Sequence, residues 1–149
     1  MSLQDKVMQE MKTAMKAKDS VALESLRAIK SALLLAQTDK VAGKTLSEEE
    51  EVKLVQRLVK QRKDSAAIYE EQGRQDLAAA ELSQVAVIEK FLPEQLSEED
   101  IEKVVVATIG KMGASGMKDM GPVMGSVTKE LAGKADGKTI SGIVRKHLS

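Results

Sequence analysis

Apolar residues recur along this chain at steps of three and four, and the gaps between the runs carry glycine, proline or a capping residue. Leu3, Val7, Met11 and Met15 repeat every fourth position, which sets them along one helix face. From Ser20 the pattern continues through Leu23, Leu26, Ile29, Leu33 and Ala36, and Gly43, shortly after Lys40, is expected to end that helix. Ser47 with Glu50 three residues on is a capping-box signature, and Glu48, Glu49 and Glu51 suit the positive end of a helix dipole. The helix that follows carries Val52, Val55, Val59, Arg62, Ala66 and Tyr69 along its inner stripe, up to Gly73. A fourth opens near Gln75 and Asp76 and is expected to bury Ala78, Leu82, Val85, Ile88 and Leu92.

Phe91-Leu92-Pro93-Glu94 then marks a boundary, because proline drives the residue before it out of helical geometry. Ser97, with Glu98, Glu99 and Asp100 behind it, starts a helix whose apolar face is Ile101, Val104, Val105, Thr108, Ile109 and Met112. The run Val104-Val105-Val106 has strand character, but the capping signal and the spacing from Ile101 to Met112 decide for helix. Gly113 and Gly116 break it. Asp119 reads as the N-cap of a helix with Met120, Val123, Met124, Val127 and Leu131 inward, which Gly133 stops. A last helix opens near Asp136 and aligns Ile140, Ile143, Val144 and Leu148. The pattern predicts an all-α chain: a helical domain of about four helices over residues 1–93, then a small three-helix domain over residues 94–149. No strand alternation and no internal repeat stands out.

Composition agrees with helix-on-helix packing. One Phe, one Tyr and no Trp leave the core to Leu, Ile, Val, Met and Ala, and eight Met residues suit an adaptable core or contact surface. Without cysteine there is no disulfide framework, thiolate nucleophile or cysteine zinc site. The start, Met1-Ser2-Leu3-Gln4-Asp5-Lys6, lacks the apolar core of a signal peptide. No apolar run approaches the ~20 residues that span a bilayer. A cytoplasmic protein with no membrane partner is the expectation.

Charge is unevenly placed. Residues 111–149 hold seven Lys/Arg against three acids, a net of +4, while residues 1–110 carry −4. Such asymmetry points to an anionic partner, although a solvated face explains it as well. The two glycine breaks, Gly113–Gly116 and Gly133-Lys134-Ala135-Asp136-Gly137-Lys138, each set a lysine beside a helix start. Free helix amides there could hold a phosphate. Ordinary turn chemistry accounts for the same residues, since Asp119 and Asp136 as caps would occupy those amides. That leaves Lys118, Lys134 and Lys138 for backbone contacts, with Gly133 and Gly137 permitting close approach. A second basic stripe, Lys53, Arg57 and Lys60, with Arg62 and Lys63 nearby, could track phosphates or pair with Glu49, Glu50 and Asp64. Arg62 lies on the apolar stripe and is expected to bury its stem and find a carboxylate. The absence of interleaved aromatics argues against sequence-specific reading of single strands.

Catalysis finds little support. The single His147 sits at a helix end, where the dipole favours a cation. The acidic runs 48–51 and 98–100 sit where helix starts want acids, and no phosphate-loop or dinucleotide fingerprint is present. No catalytic residue, metal or cofactor is expected.

Five segments together resemble the YqeY family: Lys60-Gln61-Arg62-Lys63-Asp64-Ser65, Gly73-Arg74-Gln75-Asp76-Leu77, Leu92-Pro93-Glu94-Gln95-Leu96-Ser97, Asp119-Met120-Gly121 with Val123-Met124-Gly125, and Gly133-Lys134-Ala135-Asp136-Gly137. They run in order along nearly the whole chain. The family resembles the tail of the B subunit of the glutamine-dependent aspartyl/glutamyl-tRNA amidotransferase. The resemblance implies a helical domain followed by a three-helix domain. It also implies contact with the elbow region of tRNA where the module is an appendix, as in some glutaminyl-tRNA synthetases. Two positions depart from the family pattern: Phe91 stands where Tyr is usual and Gln84 where Glu is usual. If that Glu normally pairs with Arg62, Gln84 offers only a neutral hydrogen bond. No active site comes with the resemblance, and a carbon–nitrogen ligase activity with glutamine as amido donor would be inherited from the parent enzyme. The expectation is a tRNA-binding accessory module. The alternatives are a protein-interaction module docking on an aminoacyl-tRNA synthetase or amidotransferase through Met117, Met120 and Met124, and an amidotransferase-like protein active only in a complex.

Overall fold

A computed structural model describes residues 2–40 and 44–149. Gly43, expected to end the second helix, lies outside them. The described residues form seven α-helices and no strand, so the fold is all-α. The chain divides into two compact units, Met1–Leu92 and Pro93–Ser149.

The first unit holds α1 (Leu3–Ala17), α2 (Ser20–Thr38), α3 (Glu48–Glu71) and α4 (Gln75–Ile88), followed by a 3₁₀ turn, Glu89–Phe91. Three of the four helix starts, all but that of α4, have a side-chain cap. Ser2 Oγ accepts from the Asp5 amide, and Asp19 Oδ1 accepts from the Ala22 amide at 3.0 Å. Ser47 and Glu50 close the full capping box. Three of the four acids that open α3 have partners. Glu51 accepts the Leu3 amide of α1 at 3.0 Å, Glu49 meets Lys53 at 3.3 Å, and Glu50 binds Lys40. Glu50 therefore does not pair with the basic stripe as expected.

Lys40 and the Ser47 amide together hold the Glu50 carboxyl down at about 2, from an ordinary value of 4.5. A depressed carboxylate contributes stability above its unfolded value and loses it as pH falls through its folded value. Melting temperature should therefore fall as pH drops from 4.5 towards 2, and Glu50→Gln should flatten that slope in a pH series of thermal melts.

The core gathers Val7, Leu26, Ile29, Leu33, Val55, Val59, Val85 and Ile88, with Phe91 and Leu92 packed against it. Two expected core positions are corrected. Met15 is 54% exposed and Ala14 is buried in its place. Strict steps of four drift around a helix: Met15 lies about 120° from Leu3, but Ala14 only about 20°. Leu82 is 43% exposed, because the buried face of α4 centres on Val85 and Ile88 and leaves Leu82 at its margin.

Arg62 sits half-buried between α3 and α4, but not with a carboxylate. Its Nε donates to Gln84 Oε1 at 2.8 Å and its Nη1 to the Leu58 carbonyl at 3.1 Å. Restoring a charge there should help: Gln84→Glu is expected to raise stability by about 1 kcal/mol, as a charge-assisted bond replaces a neutral one. Urea titration of the two proteins checks this.

The second unit holds α5 (Glu98–Met112), α6 (Met120–Glu130) and α7 (Gly137–Leu148), with a 3₁₀ turn, Met117–Asp119, before α6. The valine run lies within α5, where Val105 is fully buried and Val106 faces outward. Gly113, at φ 66°, takes the left-handed conformation that ends α5. The chain reverses there, so Ala114 packs against the core and Met112, expected inward, is exposed. Ile101, Val105, Val123, Val127, Leu131, Ile140, Val144 and Leu148 form an entirely aliphatic core. None of the described helices is long and apolar enough to cross a membrane.

Candidate nucleic-acid interface

Two turns of the second unit carry the lysines of interest. The turn after α6 is fixed from several sides. Gly133 takes φ 78°, is buried, and accepts from Gln95 Nε2 at 2.7 Å. The Lys134 amide donates to the Leu131 carbonyl at 2.8 Å, and the Lys134 carbonyl accepts from the Leu96 amide at 2.9 Å. The backbone of Lys134 is thus bonded on both sides while its side chain is exposed. Asp136 Oδ1 then caps α7 by accepting the Thr139 amide at 2.7 Å. Gly137 and Lys138 follow, both exposed in the first turn of α7. A Cβ added at Gly137 would meet open space, so the fold itself does not demand glycine there. Gly133, by contrast, is buried and contributes backbone conformation.

Lys118 lies exposed in the 3₁₀ turn before α6, and that turn packs against both α6 and α7. The expected cap is corrected here. Asp119 makes no side-chain bond to the start of α6; its Oδ2 reaches back to accept the Ser115 amide at 3.0 Å. A 3₁₀ turn has taken the place of an extended N-cap residue, which points the carboxylate away from the helix amides. The start of α6 therefore has no side-chain cap, and Lys118 stands beside it.

The ion pairs separate the two basic groups. Among the described residues, no carboxylate lies within ion-pair distance of Lys118, Lys134 or Lys138. In the other stripe Lys53 meets Glu49 at 3.3 Å and Lys60 meets Asp64 at 2.9 Å, each four residues apart on α3, while Arg57 has no such partner among the described residues. Arg145 was not singled out by sequence. It is exposed seven residues after Lys138 on α7, and that spacing puts the two on one face. Glu102 accepts from His147 at 2.8 Å and lies 3.8 Å from Lys146, and these partners, His147 foremost, pull its carboxyl below the usual range. Of the three methionines considered for a contact surface, Met117 is 45% exposed, whereas Met120 and Met124 pack partly into the core. Among the described residues, no three His, Asp or Glu side chains gather as a metal ion would require.

The family model described as Yqey-like protein matches residues 4–148. The chain belongs to the YqeY family. A 57-residue stretch of this YqeY-family chain is 42% identical to the E subunit of the Glutamyl-tRNA(Gln) amidotransferase of Thermococcus gammatolerans, covering 36% of the chain and 9% of that protein. It is also similar to Altered inheritance of mitochondria protein 41, mitochondrial, of Kluyveromyces lactis, at 29% identity over 137 residues, which is 90% of the chain and 69% of that protein. The Clavispora lusitaniae protein of the same name is 29% identical over 125 residues, covering 82% of the chain and 69% of its own length.

Proposed function

We propose that the second unit is a structured-RNA-binding module with tRNA as its ligand, gripped by Lys118, Lys134 and Lys138. The observation that carries this reading is that these three lysines meet no carboxylate among the described residues, while Lys53 and Lys60 of the rival stripe each do. Three further facts support it. The turn of Lys118 packs on α7, the helix that carries Lys138, and the turn of Lys134 leads into the same helix. The start of α6 beside Lys118 lacks a side-chain cap, so no capping acceptor offsets the positive end of its dipole. One similar protein is named for a tRNA-dependent amidotransferase.

A titration of tRNA at several salt concentrations tests the proposal. The variant Lys118→Ala/Lys134→Ala/Lys138→Ala should bind about tenfold or more weakly at low salt and flatten the log–log salt slope by about 2. Equal affinity and slope for variant and parent would reject the assignment.

The exposed Met117 and the amidotransferase likeness favour a second reading, docking on an amidotransferase or an aminoacyl-tRNA synthetase. Complex formation that resists both salt and nuclease would support it over RNA binding. An amidotransferase component active in a complex is the third. Glutamine-dependent amidation of mischarged tRNA that stops when this chain is omitted would establish it.

A further inference from the structure

We infer that the second unit recognises the sugar–phosphate backbone of base-paired RNA and does not read bases. The inference rests on the RNA-binding reading and adds which part of the RNA is recognised. It comes from the aromatic, amide and guanidinium side chains that read bases, all of which except Arg145 are missing or already committed.

Unpaired bases are held by stacking on aromatic rings or guanidinium planes and by amide groups that match base edges. The single Phe91 and the single Tyr69 both lie in the first unit, so residues 93–149 contain no Phe, Tyr or Trp. The chain has no asparagine at all. The only glutamine of the second unit is Gln95, and its amide nitrogen donates to the Pro93 carbonyl at 2.8 Å and the Gly133 carbonyl at 2.7 Å. The ring of His147 is held by Glu102 at 2.8 Å. Arg145 alone keeps a guanidinium plane.

What remains exposed suits a backbone. The three lysines meet no carboxylate among the described residues. Ser126 and Thr128 of α6 are also exposed, on opposite flanks of the helix. Hydroxyls and ammonium groups match phosphates and 2′-hydroxyls, which line the wide, shallow minor groove of an A-form helix. The minor groove of B-DNA is narrower and lacks the 2′-hydroxyl.

The test is competition against labelled tRNA bound to the full chain. The competitors are two RNA duplexes of unrelated sequence and about 16 base pairs, the single strands of one of them, and a DNA duplex of the same sequence. The two RNA duplexes should compete equally, and the single strands and DNA at least about tenfold less well. Arg145→Lys, which keeps the charge and loses the plane, should leave that order unchanged. Single strands competing as well as duplexes, DNA equal to RNA, a marked preference for one duplex sequence, or an order reversed by Arg145→Lys would each overturn the inference while leaving RNA binding intact. Failure of every RNA to bind, tRNA included, would overturn both.

Discussion

Ile140→Ala is expected to unfold the second unit at ordinary temperatures. Ile140 is 1% exposed and packs in α7 among Ile101, Val105, Val123, Val127 and Val144. Removing its outer carbons takes about 2–5 kcal/mol from a buried aliphatic site, through lost transfer energy and the cavity left behind. A core this small supplies only about 3–5 kcal/mol in total. The unit Pro93–Ser149 has no disulfide to add and no Phe, Tyr or Trp to fill the space. Hydrogen exchange of α7 amides should lose its protection, and the urea transition of this unit should vanish or move close to zero denaturant. Val106→Ala is the matched control in the same unit. Val106 is exposed on α5, so its truncation should change stability by no more than about 0.5 kcal/mol. Native-like protection of α7 in Ile140→Ala would show that the packing around this residue is not what holds the unit.

The second large effect is expected from one glycine and not from its neighbour. Gly133→Ala forces a Cβ onto a buried residue at φ 78°, a conformation that costs an ordinary residue about 1–2 kcal/mol. The bond from Gln95 and the bond from Leu96 to the Lys134 carbonyl both depend on that turn. The variant should therefore lose stability and, by displacing Lys134, also lose RNA affinity. Gly137→Ala is different. The position is helical, exposed and open to an added Cβ, so stability should hold or rise slightly. If Gly137 lets an RNA backbone approach, affinity should fall while stability does not. Parallel urea titrations and tRNA binding curves for the two variants separate these outcomes.

Much of the fold was legible because aliphatic residues at helical spacing leave few alternatives. The inner positions of α7 (Ile140, Ile143, Val144 and Leu148) are buried or half-buried as their spacing requires. The capping box of α3 formed from the two residues that signalled it. The misses came where three-dimensional drift or backbone detail outweighed the pattern. Counting by fours chose Met15 over Ala14, because a small residue gives a weak signal and the true repeat is shorter than four. Met112 carried the right spacing, but a glycine turned the chain back before its side chain could be covered. Asp119 had the right identity for a cap; the 3₁₀ turn it belongs to decided where its carboxylate points. At the candidate interface, sequence named the lysines, and the four-residue spacing of Glu49 to Lys53 and of Lys60 to Asp64 already marked those two pairs; that Lys118, Lys134 and Lys138 meet no carboxylate among the described residues depended on neighbours distant in sequence.

The two bonds that Gln95 and Leu96 make to the turn at Gly133 and Lys134 also bear on how this half of the protein is to be handled. A fragment trimmed to begin at Ser97, where α5 is capped, would retain every helix yet cut away the clasp that seats its most constrained lysine. A minimal fragment must keep the tetrapeptide from Pro93 to Leu96, which belongs to no helix and still braces the opposite end of the sequence.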